Sequence, residues 1–158
     1  MDSSSTSLMV AQELKDRKKL TVITNSLEVL IEFSKSKGVQ VISTGGILKS
    51  STLSLIGKNA EKTLENFYVA KAIISCKGLD ARKGLTDSSE DDAEIKKSMV
   101  SCSKRLIIAA DSTKFGIISF AKVVDFRKGD ILVTDTLPDD TWAQKLADIG
   151  VILMTEDS

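Results

Sequence analysis

Histidine is absent from this 158-residue sequence, and its absence excludes several kinds of active site. A chain without histidine has no imidazole general base, no Ser-His or Cys-His nucleophile pair and no His-ligated zinc. Any chemistry would therefore depend on carboxylates, lysines, hydroxyls and backbone amides.

Cysteine and long apolar runs are also scarce. The two cysteines, Cys76 and Cys102, lie far apart without a CxxC spacing, so we expect two reduced thiols rather than a disulfide. No run approaches the roughly 20 apolar residues that span a bilayer, and the polar N-terminus does not resemble a signal peptide. These features predict a cytoplasmic protein without a membrane partner.

The sequence has no excess charge of either sign, with 22 Lys and Arg against 22 Asp and Glu. A free-standing nucleic-acid binder needs a basic excess to neutralise phosphates, so this balance argues against one. The length and the 42% of apolar residues indicate one compact globular domain over residues 1–158.

Short apolar runs alternate with amphipathic stretches along the chain. Runs that are nearly continuous in Val, Ile, Leu and Ala favour parallel strands covered on both faces. Strands are predicted at 20–24, 39–43, 69–75, 105–110, 130–134 and 151–155, and helices at 7–15, 26–37, 57–67, 89–104 and 138–149. We expect Gly38 and Gly150 to end helices and Pro138 to occupy a first helical position. The alternation predicts an α/β fold, a mostly parallel open sheet flanked by helices.

The polar run at the start of the chain is the first candidate site. Ligands of open α/β sheets bind beyond the carboxyl ends of strands, and this run resembles the end of a strand-to-helix turn whose strand is missing. We therefore expect the chain to be a fragment of a longer protein. Hydroxyls and free N–H groups at a helix N-terminus suit an anion, although an N-cap explains them equally well. The candidate residues are Asp2, Ser3, Ser4, Ser5, Thr6 and Ser7.

Further candidates follow later strands. Gly45 and Gly46 allow either an ordinary turn, which is the more economical interpretation, or close approach of a ligand to the backbone. Lys49 follows on the same loop. Lys114 follows the fifth strand and could bring a cation to the edge that holds the hydroxyl run. Taken together, these segments predict a phosphate site for a phosphorylated metabolite.

Residues 76–86 form a long connection between predicted elements, and such connections are often functional. Gly78 and Asp80 are its candidate ligand-binding residues. The acidic cluster at 90–92 could suggest a metal, but a helix's first turn favours carboxylates on dipole grounds alone. Neither a metal nor a cofactor is predicted. Lys96 lies on the same helix, where a solvated charged face is the default.

Read in order, these segments resemble the C-terminal effector domain of the DeoR family of bacterial transcriptional repressors, over essentially the whole chain. DSSSTS is similar to the family's D-S-G/S-S/T-T loop, and LTVITNS to its strand followed by T-N-S. The other matching segments are TGGILKSSTLSLIG, SCKGLDARKGLT, AEIKKSM and ADSTKFG. Two positions depart from the pattern, since Ser4 stands where glycine is frequent and Lys49 where arginine is usual.

The resemblance implies a fold related to ribose-5-phosphate isomerases, glucosamine-6-phosphate deaminases and CoA transferases. It implies that the serine and threonine loop holds a phosphate and that Lys114 faces the phosphorylated sugar. The motifs that carry the resemblance also contain Gly45, Gly46, Lys49 and Lys96, and all four are included among the candidate ligand-binding residues. The resemblance also implies a homo-oligomeric regulator that binds operator DNA through an N-terminal helix-turn-helix domain, which this chain lacks.

Two functions remain open at this point, a sensor of phosphorylated sugars and a sugar-phosphate isomerase. Isomerases of the related superfamily carry a K-G-G-G-G segment that leads to a helix with a catalytic glutamate. Here that region reads GLTDSSEDDAEIKKS, with lysines near the glutamate position. Asp80 could act as an acid or base but has no evident partner in the sequence. We therefore predict a sensor, with no catalytic residue and no enzyme activity.

Overall fold

The computed structural model describes residues 1–156, which form five α-helices, eleven β-strands and one short 3-10 helix. The helices are α1 (Ser5–Leu14), α2 (Leu27–Ser34), α3 (Lys58–Glu65), α4 (Glu90–Ser101) and α5 (Asp140–Ile149), and the 3-10 helix is Ser112–Lys114. The strands are β1 (Leu20–Thr24), β2 (Val39–Ser43), β3 (Ile47–Lys49), β4 (Ser54–Ile56), β5 (Val69–Ile74), β6 (Gly78–Asp80), β7 (Gly84–Asp87), β8 (Ser103–Ala109), β9 (Ala121–Val124), β10 (Ile131–Val133) and β11 (Ile152–Met154).

Six strands run in parallel and form two blocks. One block is the pair β1–β2, and the other has the order β11-β10-β8-β5. The backbone of Met1 and Asp2 lies between the blocks, since the nitrogen of Met1 bonds Ile23 O and that of Asp2 bonds Ile73 O. These strands confirm the predicted α/β fold with a mostly parallel sheet flanked by helices.

The larger core lies around β5, β8 and β10. Ile74, Leu106, Ile108 and Leu132 are all fully buried, as expected for strands covered on both faces. A smaller core packs α1 and α2 against β1, with Phe33 at its centre. Because the strands within each block are parallel, their carboxyl ends lie at the same edge of that block.

The five other strands are antiparallel, and the sequence analysis did not predict them. β3 pairs with β4, and β7 pairs with both β6 and β9. The predicted long loop at 76–86 was therefore wrong, because this segment contains the hairpin β6–β7. Gly84 shows why the hairpin needs glycine, since its φ is +74° and an added Cβ would lie 2.2 Å from Val124 O.

Helix ends agree with the sequence only in part. Gly150 ends α5 with a left-handed φ of 84°, as predicted. Gly38 does not end α2, which finishes at Ser34; an added Cβ on Gly38 would lie 2.5 Å from Arg17 O, so close backbone contact explains the glycine. Pro138 also precedes the helix, because Asp139 is the N-cap of α5.

Both cysteines are free and buried, as expected. Among residues 1–156, no helix is long and apolar enough to cross a membrane.

Candidate functional site

A polar cavity of about 460 Å³ lies where α1 begins, β5 ends, and α4 and the 3-10 helix approach. Its walls therefore come from segments that are distant in sequence. The lining residues are Ser3, Ser4, Ser5, Thr6, Glu28, Ser51, Thr52, Leu53, Ser75, Cys76, Lys77, Asp87, Ser88, Asp92, Lys96, Asp111 and Lys114. Burial raises the pKa of the Cys76 thiol to about 12, so this side chain is a neutral part of the wall.

The buried carboxylate of Asp2 stabilises the serine loop, which is the segment from Ser3 to Ser7. Its Oδ1 accepts hydrogen bonds from Ser4 Oγ at 2.7 Å and from Ser7 Oγ at 2.5 Å, and its Oδ2 accepts one from Ser75 N at 2.9 Å. Ser4 is the N-cap of α1 and accepts from Ser7 N at 3.0 Å. Asp2 and Ser7 are buried and therefore stabilise the loop from the interior of the protein. Ser4 contributes a hydroxyl that the glycine frequent at this position would lack.

The first turn of α1 presents open donors to the cavity. Helical N–H groups at these positions have no partner within their own helix. Those of Ser5 and Thr6 have no acceptor elsewhere in residues 1–156, whereas Ser7 N is capped by Ser4. The positive end of the helix dipole adds to this donor pair, so the turn can hold an anion.

Lys96 lies under the cavity in a buried charge cluster. Its Nζ lies 2.5 Å from Asp87 Oδ2 and 3.2 Å from Asp2 Oδ2, and it donates to Ser75 O at 2.9 Å. The side chain is only 8% exposed, so the expected solvated face was wrong for this lysine. The three oxygen partners offset the cost of removing this ammonium group from water.

The cluster favours the charged forms of Asp2 and Lys96. Burial alone would raise the pKa of Asp2, but the Lys96 ammonium and hydrogen bonds from Ser7, Ser75 and Ser4 outweigh burial, and the pKa is lowered. Burial would likewise lower the pKa of Lys96, but the carboxylates of Asp2 and Asp87 raise it above its usual value. Lys96 therefore remains an ammonium at neutral pH, with two carboxylates beside it.

Lys49 connects β3 to the start of α4. Its Nζ donates to Ser89 Oγ at 2.9 Å and to Asp92 Oδ2 at 2.5 Å. Ser89 is the N-cap of α4, which supports the first-turn explanation of the acidic cluster. The other oxygen of Asp92, Oδ1, is buried without a partner in the described residues, and Asp92 lines the cavity. The carboxylate of Asp92 is thus part of the cavity wall and is held in place by Lys49 through Oδ2.

Lys114 enters the cavity from the 3-10 helix. Asp135 anchors that helix by accepting from Ser112 N at 2.7 Å, and Asp111 caps it by accepting from Thr113 N. The Nζ of Lys114 lies 3.6 Å from Asp111 Oδ2, and the lysine side chain is 29% exposed. The ion pair is long and partly exposed, so it holds Lys114 weakly and leaves the side chain able to turn toward a ligand.

The cavity does not carry a positive excess. Three lysines (Lys77, Lys96 and Lys114) and four carboxylates (Glu28, Asp87, Asp92 and Asp111) line it. The groups that could hold an anion are therefore confined to one place, where the α1 amides and Lys114 lie. The remaining wall is rich in acceptors, which suits a ligand with several hydroxyl groups.

The predicted candidates divide into three groups. Ser3, Ser4, Ser5, Thr6, Lys96 and Lys114 line the cavity. Asp2, Ser7 and Lys49 lie behind the lining and bond to the residues that form it. The third group lies outside the lining and consists of Gly45, Gly46, Gly78 and Asp80.

The residues of the third group have local structural roles. Gly46 has a φ of +110°, and an added Cβ would lie 2.5 Å from Ile56 O, which supports the ordinary-turn interpretation. An added Cβ on Gly78 would lie 2.5 Å from Ile117 O. Asp80 accepts from Arg82 N and Lys83 N in the turn of the β6–β7 hairpin, and these bonds lower its pKa.

Sequence reasoning missed the carboxylates of the cavity. Asp87 ends β7 and Asp111 ends the segment after β8, so position at a strand end was an available signal for both. Asp92 had no such signal, since its role depends on Lys49 from another part of the chain.

Comparisons with known proteins agree with this architecture. The family model described as "DeoR C terminal sensor domain" matches residues 1–136. An uncharacterized HTH-type transcriptional regulator of Bacillus subtilis, YulB, is 40% identical over 148 residues, which are 94% of this chain and 57% of the relative. The HTH-type transcriptional regulator GolR of Listeria innocua is 33% identical over 151 residues, covering 96% of this chain and 59% of GolR.

A further relative is named the L-fucose operon activator of Haemophilus influenzae. It is 30% identical over 141 residues, which are 89% of this chain and 56% of that protein. The chain thus spans less than two thirds of the length of these relatives. The sequence motifs, the parallel sheet and the family match agree, and the sensor prediction is confirmed over the isomerase alternative. The chain belongs to the family of DeoR C-terminal sensor domains.

Proposed function

We propose that this chain is the effector-sensing domain of a transcriptional regulator and that it binds a phosphorylated sugar in the cavity before α1. The open N–H groups of Ser5 and Thr6 carry this proposal, because they face a cavity whose other walls offer mainly acceptors. The phosphate would bind at the helix N-terminus, and the sugar hydroxyls would bind across the cavity.

The phosphate end of the site would use few groups. The two backbone amides donate to phosphate oxygens, and the hydroxyl of Thr6 adds a third donor close to them. Lys114, which is anchored loosely by Asp111, supplies a mobile point charge. Lys96 contributes less to the phosphate directly, since two carboxylates already compensate its charge.

The sugar end would use the carboxylates. Asp92 lines the cavity, and Lys49 holds its carboxylate through Oδ2. Asp111 and Glu28 add further acceptors at the rim. A polyol satisfies such acceptors, whereas an anionic ligand without hydroxyls leaves them unpaired.

The effector would act by shifting the equilibrium between two arrangements of the full regulator. A ligand that binds one arrangement of the full regulator more tightly favours that arrangement, and the contacts with operator DNA change accordingly. DNA contact would belong to another domain, as the names of the HTH-type relatives suggest. Such a role requires a cytoplasmic location, as predicted from the sequence.

A thermal-shift panel tests the proposal. Pentose and hexose phosphates are compared with the same sugars without phosphate and with inorganic phosphate. We expect one or more sugar phosphates to raise the melting temperature further as their concentration rises. The stabilisation of the folded state should reach about 3 kcal/mol at 100 times the dissociation constant. The parent sugars should give no shift at equal concentration. A panel in which no sugar phosphate outperforms its parent sugar contradicts the proposal.

We also propose that the domain self-associates, because homo-oligomers with closed symmetry are the common arrangement of such regulators. Several large apolar side chains are exposed, including Ile118 and Phe120 beside β9. Sedimentation velocity over a concentration series should show a species heavier than the monomer. A monomer at every concentration contradicts this part of the proposal.

A further inference from the structure

The loops at the amino ends of β1 and β2 form a surface that is rich in cations. One loop, residues 15–19, joins α1 to β1, and the other, residues 35–38, joins α2 to β2. Together they present six exposed cations against the single carboxylate of Asp16. These six residues, which we call the basic surface, are Lys15, Arg17, Lys18, Lys19, Lys35 and Lys37.

Backbone contacts hold the two loops side by side. The hydroxyl of Ser36 donates to Lys15 O at 2.5 Å and so links the second loop to the first. The backbones also approach closely at Gly38, where an added Cβ would lie 2.5 Å from Arg17 O and 3.2 Å from Lys18 Cα. The six cations therefore belong to one surface rather than to two separate ones.

The basic surface lacks compensating charges. Ion pairs engage other cations of the chain, such as Lys49, Lys96 and Arg127, but within residues 1–156 no ion pair includes a cation of the basic surface. Glu13 and Glu32, in the last turns of α1 and α2, are the next carboxylates along the chain and leave the cations in the majority. Crowded like charges repel one another, so an anionic partner would relieve a cost that the folded domain carries.

The neutral composition of the whole chain conceals this local excess. Its 22 cations and 22 carboxylates balance, so the rest of the chain is acidic to the same extent that the two loops are basic. Phosphate binding requires a basic excess on one face and not over the whole molecule. Duplex DNA offers one negative charge per roughly 1.7 Å of its axis, about twice the density of an extended chain of glutamates.

We propose that the basic surface contacts the phosphate backbone of duplex DNA without reading its sequence. Lysine and arginine are the usual partners of DNA phosphates, and the two loops carry no aromatic side chain that could stack on the bases of a single strand. The inference rests on the proposed role in a transcriptional regulator, because that role brings a DNA duplex near the domain.

The DNA contact and the sugar-phosphate site would use opposite ends of β1. The basic surface precedes the first residue of the strand, whereas Glu28 of the cavity follows its last residue, Thr24. The five residues of the strand span about 16 Å. The two sites can therefore be tested separately.

Fluorescence anisotropy with a labelled duplex of about 20 base pairs tests the contact, because a duplex of this length offers enough phosphates for the whole surface. The 158-residue chain is titrated at several salt concentrations, beginning near 50 mM. The logarithm of the association constant should fall with the logarithm of the salt concentration at a slope of about −3 to −5, since each neutralised phosphate contributes about −0.9. Poly-glutamate of equal total charge should bind at least about tenfold more weakly, because its charge density is lower.

Matched variants locate the contact on the chain. Arg17→Glu combined with Lys18→Glu should weaken duplex binding at least about tenfold, because two phosphate contacts are lost and two repulsions are added. Arg82→Glu combined with Lys83→Glu is the control, since it makes the same change of charge in the exposed turn between β6 and β7. The control should change binding by less than about threefold, because salt screens charges far from the bound phosphates.

A variant of the second loop tests whether both loops act together. Lys35→Glu combined with Lys37→Glu should also weaken duplex binding at least about tenfold. Because the substituted residues are exposed and lie outside the cavity lining, all three variants should fold as the parent does and keep any stabilisation by a sugar phosphate. The DNA titration and the ligand panel can thus fail independently of each other.

Three results would overturn the proposal. The first is the absence of duplex binding at protein concentrations up to about 1 mM, since non-specific dissociation constants are typically about 10⁻⁴ M or lower. The second is an equal loss of binding in the control and in the loop variants, which would assign binding to net charge alone. The third is binding of poly-glutamate as tight as that of the duplex, which would point to an acidic protein as the partner.

Discussion

The ammonium nitrogen of Lys96 lies 3.2 Å from Oδ2 of Asp2, which ties the middle of α4 to the residue where the serine loop begins. Asp2 in turn accepts hydrogen bonds from Ser4 and Ser7. The buried lysine therefore supports the shape of the proposed phosphate loop without being its main donor. Its role is testable separately from ligand binding.

Replacing Lys96 by methionine should destabilise the fold strongly. The change leaves the buried carboxylates of Asp2 and Asp87 without their cation, and breaking one side of a buried ion pair costs about 3–5 kcal/mol. Lys97→Met on the same helix is the matched control, since its pair with Glu94 is 42% exposed on the lysine side and is worth about 1 kcal/mol at most. Urea unfolding measures both. Equal losses in the two variants would contradict the assigned role.

The coupling between Asp2 and Lys96 should depend on pH at both extremes. The lowered pKa of Asp2 means that its contribution is present above the ordinary value of 3.8 and is lost as pH falls through the folded value. The raised pKa of Lys96 means that its contribution is present below 10.5 and is lost as pH rises further. A double-mutant cycle with Asp2→Asn and Lys96→Met should give a constant coupling between about pH 5 and pH 9. A coupling that changes steeply near pH 7 would count against this pairing.

Two cavity variants should remove ligand stabilisation without unfolding the protein. Thr6→Val deletes a hydroxyl beside the open amides, and Lys114→Ala deletes the loosely held cation. Both should retain the unliganded melting temperature within about 2 °C, because exposed polar contacts contribute little. Neither should be stabilised by the sugar phosphate that stabilises the parent.

Lys122→Ala is the matched control for the second variant. Lys122 also pairs with an aspartate three residues away, Asp125, but it lies outside the cavity lining. It should keep the full ligand-induced shift. If Lys114→Ala kept the shift as well, the phosphate site would be wrongly placed.

Two glycines with similar backbone angles should tolerate alanine very differently. Gly84 and Gly129 have φ values of +74° and +88°, so alanine strains the backbone at both. An added Cβ at Gly84 would lie 2.2 Å from Val124 O, whereas none of the described atoms lies within 4 Å of one at Gly129. Gly84→Ala should therefore cost about 1–3 kcal/mol more than Gly129→Ala in chemical unfolding. Equal costs would contradict the close β7–β9 contact.

The parallel half of the fold was predictable from the sequence, and the antiparallel half was not. β1 and β2 have the predicted bounds, because continuous apolar runs such as 20–24 fit a strand buried on both faces. β6 and β7 are short and rich in glycine or polar residues, and β9 has only four residues. Their pairing is therefore decided by distant contacts such as that of Gly84 with Val124. Such contacts cannot be predicted from the pattern of neighbouring residues in the sequence.

The residues of the candidate site also divide into those that local sequence identifies and those that only distant contacts define. Hydroxyls at the start of α1 and Lys114 were recognisable, since position at a strand end is a local property. The burial of Lys96 was not, because its partners Asp2 and Asp87 reach it from separate elements. Asp80 shows the converse, a conspicuous loop aspartate that only stabilises a turn.

The central claim is that a sugar phosphate binds at the first turn of α1, and amide NMR tests it most directly. The 15N-labelled chain is titrated with the sugar phosphate that gives the largest thermal stabilisation. The account predicts that the amides of Ser5 and Thr6 show the largest changes in chemical shift and saturate together, while Gly45 and Asp80 change little. Saturable binding with the largest changes at Gly45 or Asp80, and none at Ser5 and Thr6, would contradict it.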